Sequence, residues 1–118
     1  MAYDNNNIFA KILREEIPCK KIYEDDFVLS FYDINPQKKI HALVIPKGKY
    51  IDLDDFAINA SNDEIVGLIK GINIVAKKLN ISVDTGKGYR ALANISEYGG
   101  QEVPHLHFHL FGGEKVGK

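Results

Sequence analysis

The chain has 118 residues, with 15 Lys and Arg against 16 Asp and Glu, four His, one Cys and no Trp. That length suits a single domain over residues 1–118 with a core of its own. The near-neutral balance argues against a nucleic-acid binder that works by bulk electrostatics, and one Cys excludes a disulfide scaffold or a multi-cysteine zinc site.

The longest purely apolar run, Ala42 to Ile45, is far too short to span a bilayer. Met1 to Asn7 is polar, with neither the basic nor the apolar region of a secretory leader. The single Cys suits a reducing compartment, so a cytoplasmic protein is expected, with neither a membrane nor a nucleic acid among its partners.

In chain order, the first element is a short helix from Ile8 to about Glu15, capped by Asn7 and ended by Pro18. Ile22 to Glu24 and Phe27 to Asp33 read as strands around an Asp25-Asp26 turn, and Asn35-Pro36 marks the next turn. His41 to Ile45 is a strand closed by Pro46 and Gly48. A long helix follows over Ser61 to Leu79, because Ser61 and Glu64 have the spacing of a capping box. Ile65, Leu68, Ile69, Ile72, Ala76 and Leu79 give it one buried stripe, with Asn80 as the stop. Tyr89 to Ile95 and His105 to Phe111 complete five strands, joined by a loop with Gly99 and Gly100. The expected fold class is α+β, a mainly antiparallel five-stranded sheet with one long and one short helix.

Three of the four histidines fall in His105-Leu106-His107-Phe108-His109-Leu110-Phe111. On a strand, alternate side chains share a face, so the imidazoles line up opposite Leu106, Phe108 and Leu110. Two residues of strand rise ~6.6 Å, which makes the row ~13 Å long and able to engage several oxygens of one polyanion. A lone His is usually a hydrogen-bonded packing residue, but three in strict alternation are poorly explained by packing. Two chemistries fit. One is a zinc site, with His-x-His as two ligands and His41 or a carboxylate as another. The other is phosphate chemistry, with one neutral imidazole as nucleophile and the others as hydrogen-bonding partners. The preceding loop, Asn94-Ile95-Ser96-Glu97-Tyr98-Gly99-Gly100-Gln101, supplies amides and close backbone N–H groups, which suit phosphate better than zinc.

These residues resemble the His-φ-His-φ-His-φ-φ signature of the histidine-triad (HIT) family, and the chain is similar to its Hint branch of nucleotide-binding phosphoramidases. The likeness runs from Ile8-Phe9 through Asp33-Ile34-Asn35-Pro36-Gln37, His41 to Lys47 and Gly99-Gly100-Gln101 to Gly112-Gly113. The resemblance implies a HIT-like fold, a homodimer, and hydrolysis of purine nucleotidyl conjugates, with AMP or GMP as product and neither metal nor cofactor. Other activities within the same resemblance are dinucleoside polyphosphate hydrolysis and nucleotide binding or scaffolding without catalysis.

By the same resemblance His107 is the nucleophile, His105 and His109 orient it and handle charge and protons, and His41 joins them. Asn94 is a further site residue, Gln101 a phosphate donor and Asp33 an acceptor from the ribose hydroxyls. Ile8, Phe9, Phe31 and Ile34 sandwich the base, with Ile17 and Leu43 nearby. From the residues alone, Asp33 reads equally well as a turn Asp bonding nearby N–H groups, and Ile8, Phe9 and Phe31 as core. Lys38, Lys39, Lys47 and Lys49 read as a solvated rim and Cys19 as a bystander. The chain departs from the branch at Glu102, where some members carry a small hydroxyl residue, and in its short tail after Gly113; both bear on the leaving group.

A dimer has one further sequence argument. Gly67, Gly71 and Ile74 fall on a second face of the long helix, and interior Gly costs ~1 kcal/mol relative to Ala. They read as tolerated drift, as a close approach to the protein's own loops, or as helix–helix contact across a two-fold axis.

Overall fold

Alternating apolar residues make β2 (Val28–Tyr32) and β3 (Ile40–Pro46) two-faced, and almost every side chain in them is buried. The other strands are β1 (Lys21–Glu24), β4 (Arg90–Leu92) and β5 (Phe108–Gly112). All five form one antiparallel sheet in the order β1-β2-β3-β5-β4. The computed structural model describes residues 2–117; Met1 and Lys118, the ends of the span read as one domain and of the leader argument, lie outside the described residues.

Each face carries its own core. Val28, Ala42, Val44 and Leu110 meet α3 (Asn62–Lys78) through Leu68, Ile72 and Val75, with Leu106 in the same cluster. Leu29, Phe31, Leu43 and Ile45 meet α1 (Ile8–Leu13) through Phe9 and Ile12. The strand period therefore puts His41 on the α1 face together with Leu43 and Ile45. The register pairs Leu43 with His109, which brings two of the histidines to neighbouring strands on that side.

Local chemistry explains the helix ends. Asn7 Oδ1 accepts from the Ala10 N–H at 2.9 Å, as its cap position requires. Glu15, at φ 63°, turns the chain out of α1 before Pro18. Ser61 and Glu64 form the reciprocal capping box, 3.1 and 3.0 Å. The same Glu64 carboxylate accepts from the Tyr50 hydroxyl at 2.8 Å, tying the segment after β3 to α3.

Three expectations need correction. There are two short helices, since α2 (Leu53–Asn59) follows β3, capped by Asp52 with Asp54 and Asp55 in its first turn. With only Phe56 buried, its apolar pattern is too sparse to declare a helix. Ile69 is 60% exposed, and Val75, fully buried, takes its place in the α3 stripe. Finally, Gly67 and Gly71 face the protein's own sheet: a Cβ on Gly71 would sit 2.9 Å from Val28 Cγ2, and one on Gly67 2.5 Å from Phe27 Cγ. They let α3 lie close on the β1–β2 edge, so they are no argument for a helix–helix contact between two chains. No helix among the described residues is long and apolar enough to cross a membrane.

Candidate active site

The histidine row begins before its strand. Regular pairing of β5 starts only at Phe108, yet the alternation already holds upstream. Leu106 and Leu110 enter the α3 core, while His105 and His107 are buried on the other side. The irregular start is anchored by backbone bonds from Leu106 N–H to the Tyr50 carbonyl, 2.8 Å, and from His105 N–H to Val103, 2.9 Å.

Hydrogen bonds assign each imidazole tautomer. His107 Nδ1 lies 2.7 Å from the His105 carbonyl and must donate to it, so His107 Nε2 keeps a free lone pair. His105 Nε2 donates to the Pro46 carbonyl at 2.9 Å, which leaves its Nδ1 as an acceptor. His41 Nδ1 accepts from the Gln37 N–H at 3.2 Å. Its proton is therefore on Nε2, which lies 2.9 Å from His109 Nδ1 and 3.5 Å from Asp33 Oδ2. His109 in turn carries its proton on Nε2. The site thus holds one free imidazole lone pair on His107 and one N–H donor on His109, with ring centroids 5.1 Å apart.

Burial sets the charge state. Desolvation holds His41 and His107 below the ordinary imidazole value, and pushes His105 and His109 down to about 4. All four are neutral at pH 7, the form a nucleophile and neutral donors require. The sign of the stability effect follows. The unfolded chain takes up protons on these groups near the ordinary value of 6.5, whereas the folded protein resists. Stability is fully present above that value and falls as pH drops from 6.5 toward 4. Urea unfolding midpoints at pH 7.5, 5.5 and 4.5 are expected to fall in that order; a constant midpoint over this window would contradict the assigned neutrality.

Asp33, His41 and His109 bring ligand-type atoms within 4.8 Å of one another, a grouping that a metal ion could also favour. The donor set does not fit one. To ligate through Nε2, His41 would have to move its proton to Nδ1, against the Gln37 N–H. The His41–His109 hydrogen bond and the 3.5 Å approach of Asp33 to His41 already account for their proximity.

Asp33 holds a local turn and faces the histidines at once. Oδ1 accepts from the Asn35 N–H at 2.8 Å in a local turn, and Oδ2 faces His41. Beside them opens a cleft of about 710 Å³ walled by Pro18, Cys19, Tyr32, Asp33, Ile34, Pro36 and His41, with Lys20 and Lys39 at its edge. Ile34 is 85% exposed on this wall. Cys19, read from sequence as a bystander, lines the cleft, and burial pushes its thiol up, which keeps it protonated. Phe9, Phe31 and Leu43 belong to the α1-face core, with Ile17 packed against it, and none of them, nor Ile8, forms this wall. Phe9 instead meets His107 edge-on, with centroids 4.9 Å apart.

The loop before the triad is self-braced. Gly99 is required because any Cβ would strike the Ile95 backbone, and Gly100 takes φ 76°. Gln101 departs from its expected part as phosphate donor. Its Nε2 donates to the carbonyls of Ile51, 2.6 Å, and Val103, 2.9 Å, and its Oε1 accepts from Ser96 N–H, 2.9 Å. With both amide protons committed, Gln101 holds the loop against the segment leading into α2. Asn94 lies on a smaller cavity of about 270 Å³ with His109, Lys38 and Arg90. Glu102 is exposed, and its charge acts on His107, favouring the protonated form against the effect of burial.

One residue that contacts the triad was missed in the sequence. The Tyr3 hydroxyl lies 2.6 Å from His105 Nδ1, and a lone Tyr in a polar N-terminal stretch gives no pattern that could reveal it.

Comparison with known proteins gives the family. The HIT domain model matches residues 14–116. A HIT-like protein of Azospirillum brasilense is 51% identical over 115 residues, covering 98% of this chain and 92% of its own. The solved HIT family hydrolase from Clostridium thermocellum superposes with a TM-score of 0.85 at 39% identity, covering 98% of this chain and 96% of the other. The histidine triad nucleotide-binding protein from Candida albicans gives 0.77 at 33% identity, covering 89% and 73%. With its triad in register, its antiparallel sheet and this match over most of its length, the chain belongs to the HIT family.

Proposed function

We propose that the protein is a metal-independent hydrolase of purine nucleoside 5′-phosphoramidates and related nucleotidyl conjugates, of the Hint branch of its family. The observation that carries this reading is the bond from His107 Nδ1–H to the His105 carbonyl, which leaves a neutral Nε2 lone pair. The names of two similar solved proteins, a HIT family hydrolase and a nucleotide-binding protein, agree with it.

In the first step His107 Nε2 attacks the α-phosphorus. The new N–P bond forms as the P–N bond to the amine breaks, and the amine leaves with a proton taken up in the site. Water then attacks the phosphorus of the nucleotidyl-His107, the N–P bond breaks, and the nucleoside monophosphate departs. The proton released from water replaces the one the amine carried away, restoring neutral His107. Charge on the phosphoryl oxygens is met by the His109 N–H and by backbone N–H groups of the loop, a neutral preorganised donor set. The cleft beside Asp33 takes the nucleoside, with the carboxylate accepting from ribose hydroxyls. Glu102, an exposed anion near His107, suits an amine leaving group, which is positive once protonated.

The test is steady-state turnover of adenosine and guanosine 5′-phosphoramidates beside dinucleoside polyphosphates, after exhaustive chelation. The phosphoramidates are expected to turn over at a rate that EDTA leaves unchanged. Activity lost in EDTA and restored by Zn²⁺ would make the protein a metallohydrolase. Cleavage of dinucleotides alone would move it to the other hydrolase class, and binding without turnover to a nucleotide-binding or scaffolding role. The proposal includes a cytoplasmic homodimer, for which Val66 and Ile69 are exposed apolar side chains of α3.

A further inference from the structure

The segment from Tyr3 to Asn7 is built into the site. Asp4 and Asn7 close a tight knot: Asn6 N–H donates to Asp4 Oδ1, 2.8 Å, and Asn7 Nδ2 donates to the Asp4 carbonyl, 2.7 Å. Asn7 also caps α1 through its other side-chain atom, so helix and knot share one buried residue. Arg14 adds a bond from its guanidinium to the Asn5 carbonyl at 2.8 Å. This framework projects two rings onto the histidine row. Phe9 packs edge-on to His107, and Tyr3 packs edge-on to His105 with centroids 5.6 Å apart.

The Tyr3 contact is also polar. His105 is fully buried, and its Nε2–H is committed to the Pro46 carbonyl. Its Nδ1 is therefore a buried acceptor that only a donor can satisfy, and the Tyr3 hydroxyl supplies that donor at 2.6 Å. Burial holds the phenol above its ordinary pKa, so it keeps the proton it donates. With both ring nitrogens bonded, His105 can neither switch tautomer nor turn without breaking a bond. The carbonyl of that same residue is the acceptor that sets the His107 ring.

We propose that Tyr3 is a positioning residue of the triad: its hydroxyl donates to the buried Nδ1 of His105, whose tautomer the Pro46 carbonyl sets, and thereby holds the ring and steadies the carbonyl that orients His107. The inference rests on the reading of His107 as nucleophile for its kinetic part alone. Tyr3 touches no reacting atom; it acts through His105.

The test uses Tyr3→Phe, which keeps the packed ring and removes one oxygen. Imidazole ¹⁵N resonances of the full chain at pH 7 report each tautomer. In the wild type His105 is expected as a neutral Nε2–H ring and His107 as a neutral Nδ1–H ring. In the variant the His105 Nδ1 resonance is expected to move as its donor is lost. With adenosine phosphoramidate, kcat is expected to fall about tenfold while KM stays within about twofold, because the loss falls on orientation and not on nucleotide contacts. An unchanged kcat in the variant would overturn the proposal, and so would a lower kcat with unmoved His105 resonances. Wild-type protein that turns over no nucleotide would end the proposed function, and the ¹⁵N shifts would still decide whether Tyr3 donates to His105 Nδ1.

Discussion

His107→Ala is expected to lower phosphoramidate turnover at least about a thousandfold while nucleoside monophosphate binding changes by less than about tenfold. The nucleophile acts on the barrier, whereas the cleft beside Asp33 supplies ground-state contacts that the substitution leaves in place. His107 is only 5% exposed and packs on Phe9, so truncation also opens a cavity of the kind that costs ~1–3 kcal/mol. A thermal melt of the variant separates that loss from the chemical one, since a folded, nucleotide-binding but inactive protein is the expected result. Near-wild-type turnover would remove His107 from the nucleophile's role. A nucleotide trapped on His105 or His109 of the wild type would move the role there, against the tautomers: His105 has both ring nitrogens occupied.

Gly71→Arg is expected to unfold the protein. The glycine is buried in α3, and even a Cβ would lie 2.9 Å from Val28 Cγ2, on a side chain with no exposure at all. An Arg would have to displace the β2 core or bury its charge, at a cost of roughly 3 kcal/mol or more. The measurement is chemical denaturation, with a large drop in midpoint or no folded baseline as the outcome. A variant as stable as the wild type would show that α3 does not lie against β2 as described. For the wild type, sedimentation at micromolar concentration tests the homodimer directly, and a monomer there would end that part of the proposal. A dimer lost in Gly71→Arg says nothing about the interface, because the altered position faces the chain's own sheet.

Features decided within a few residues were legible in the sequence. Asn7 and the Ser61–Glu64 box cap their helices because a side chain and the N–H groups it satisfies lie within three positions. The alternation of His105, His107 and His109 against Leu106 and Leu110 needs only the two-residue period of extended chain, and it survives where regular pairing has not begun. Features decided by what lies opposite were not legible. Apolar residues occur on α3 at both 69 and 75, so the centre of its stripe is ambiguous until Val28 is known to face Gly71. Gln101 has the chemistry of a phosphate donor, but the Ile51 carbonyl, fifty residues away in sequence, takes one of its protons. Tyr3 and His105 are separated by 102 residues, and no local pattern records that one supplies the other's missing donor. A hydrogen bond between distant segments leaves no periodicity in either of them. The chain carries the reacting groups in a readable row, while their tautomers, and hence which nitrogen is free to react, are set only by the carbonyls, amides and hydroxyl that the tertiary fold brings against them.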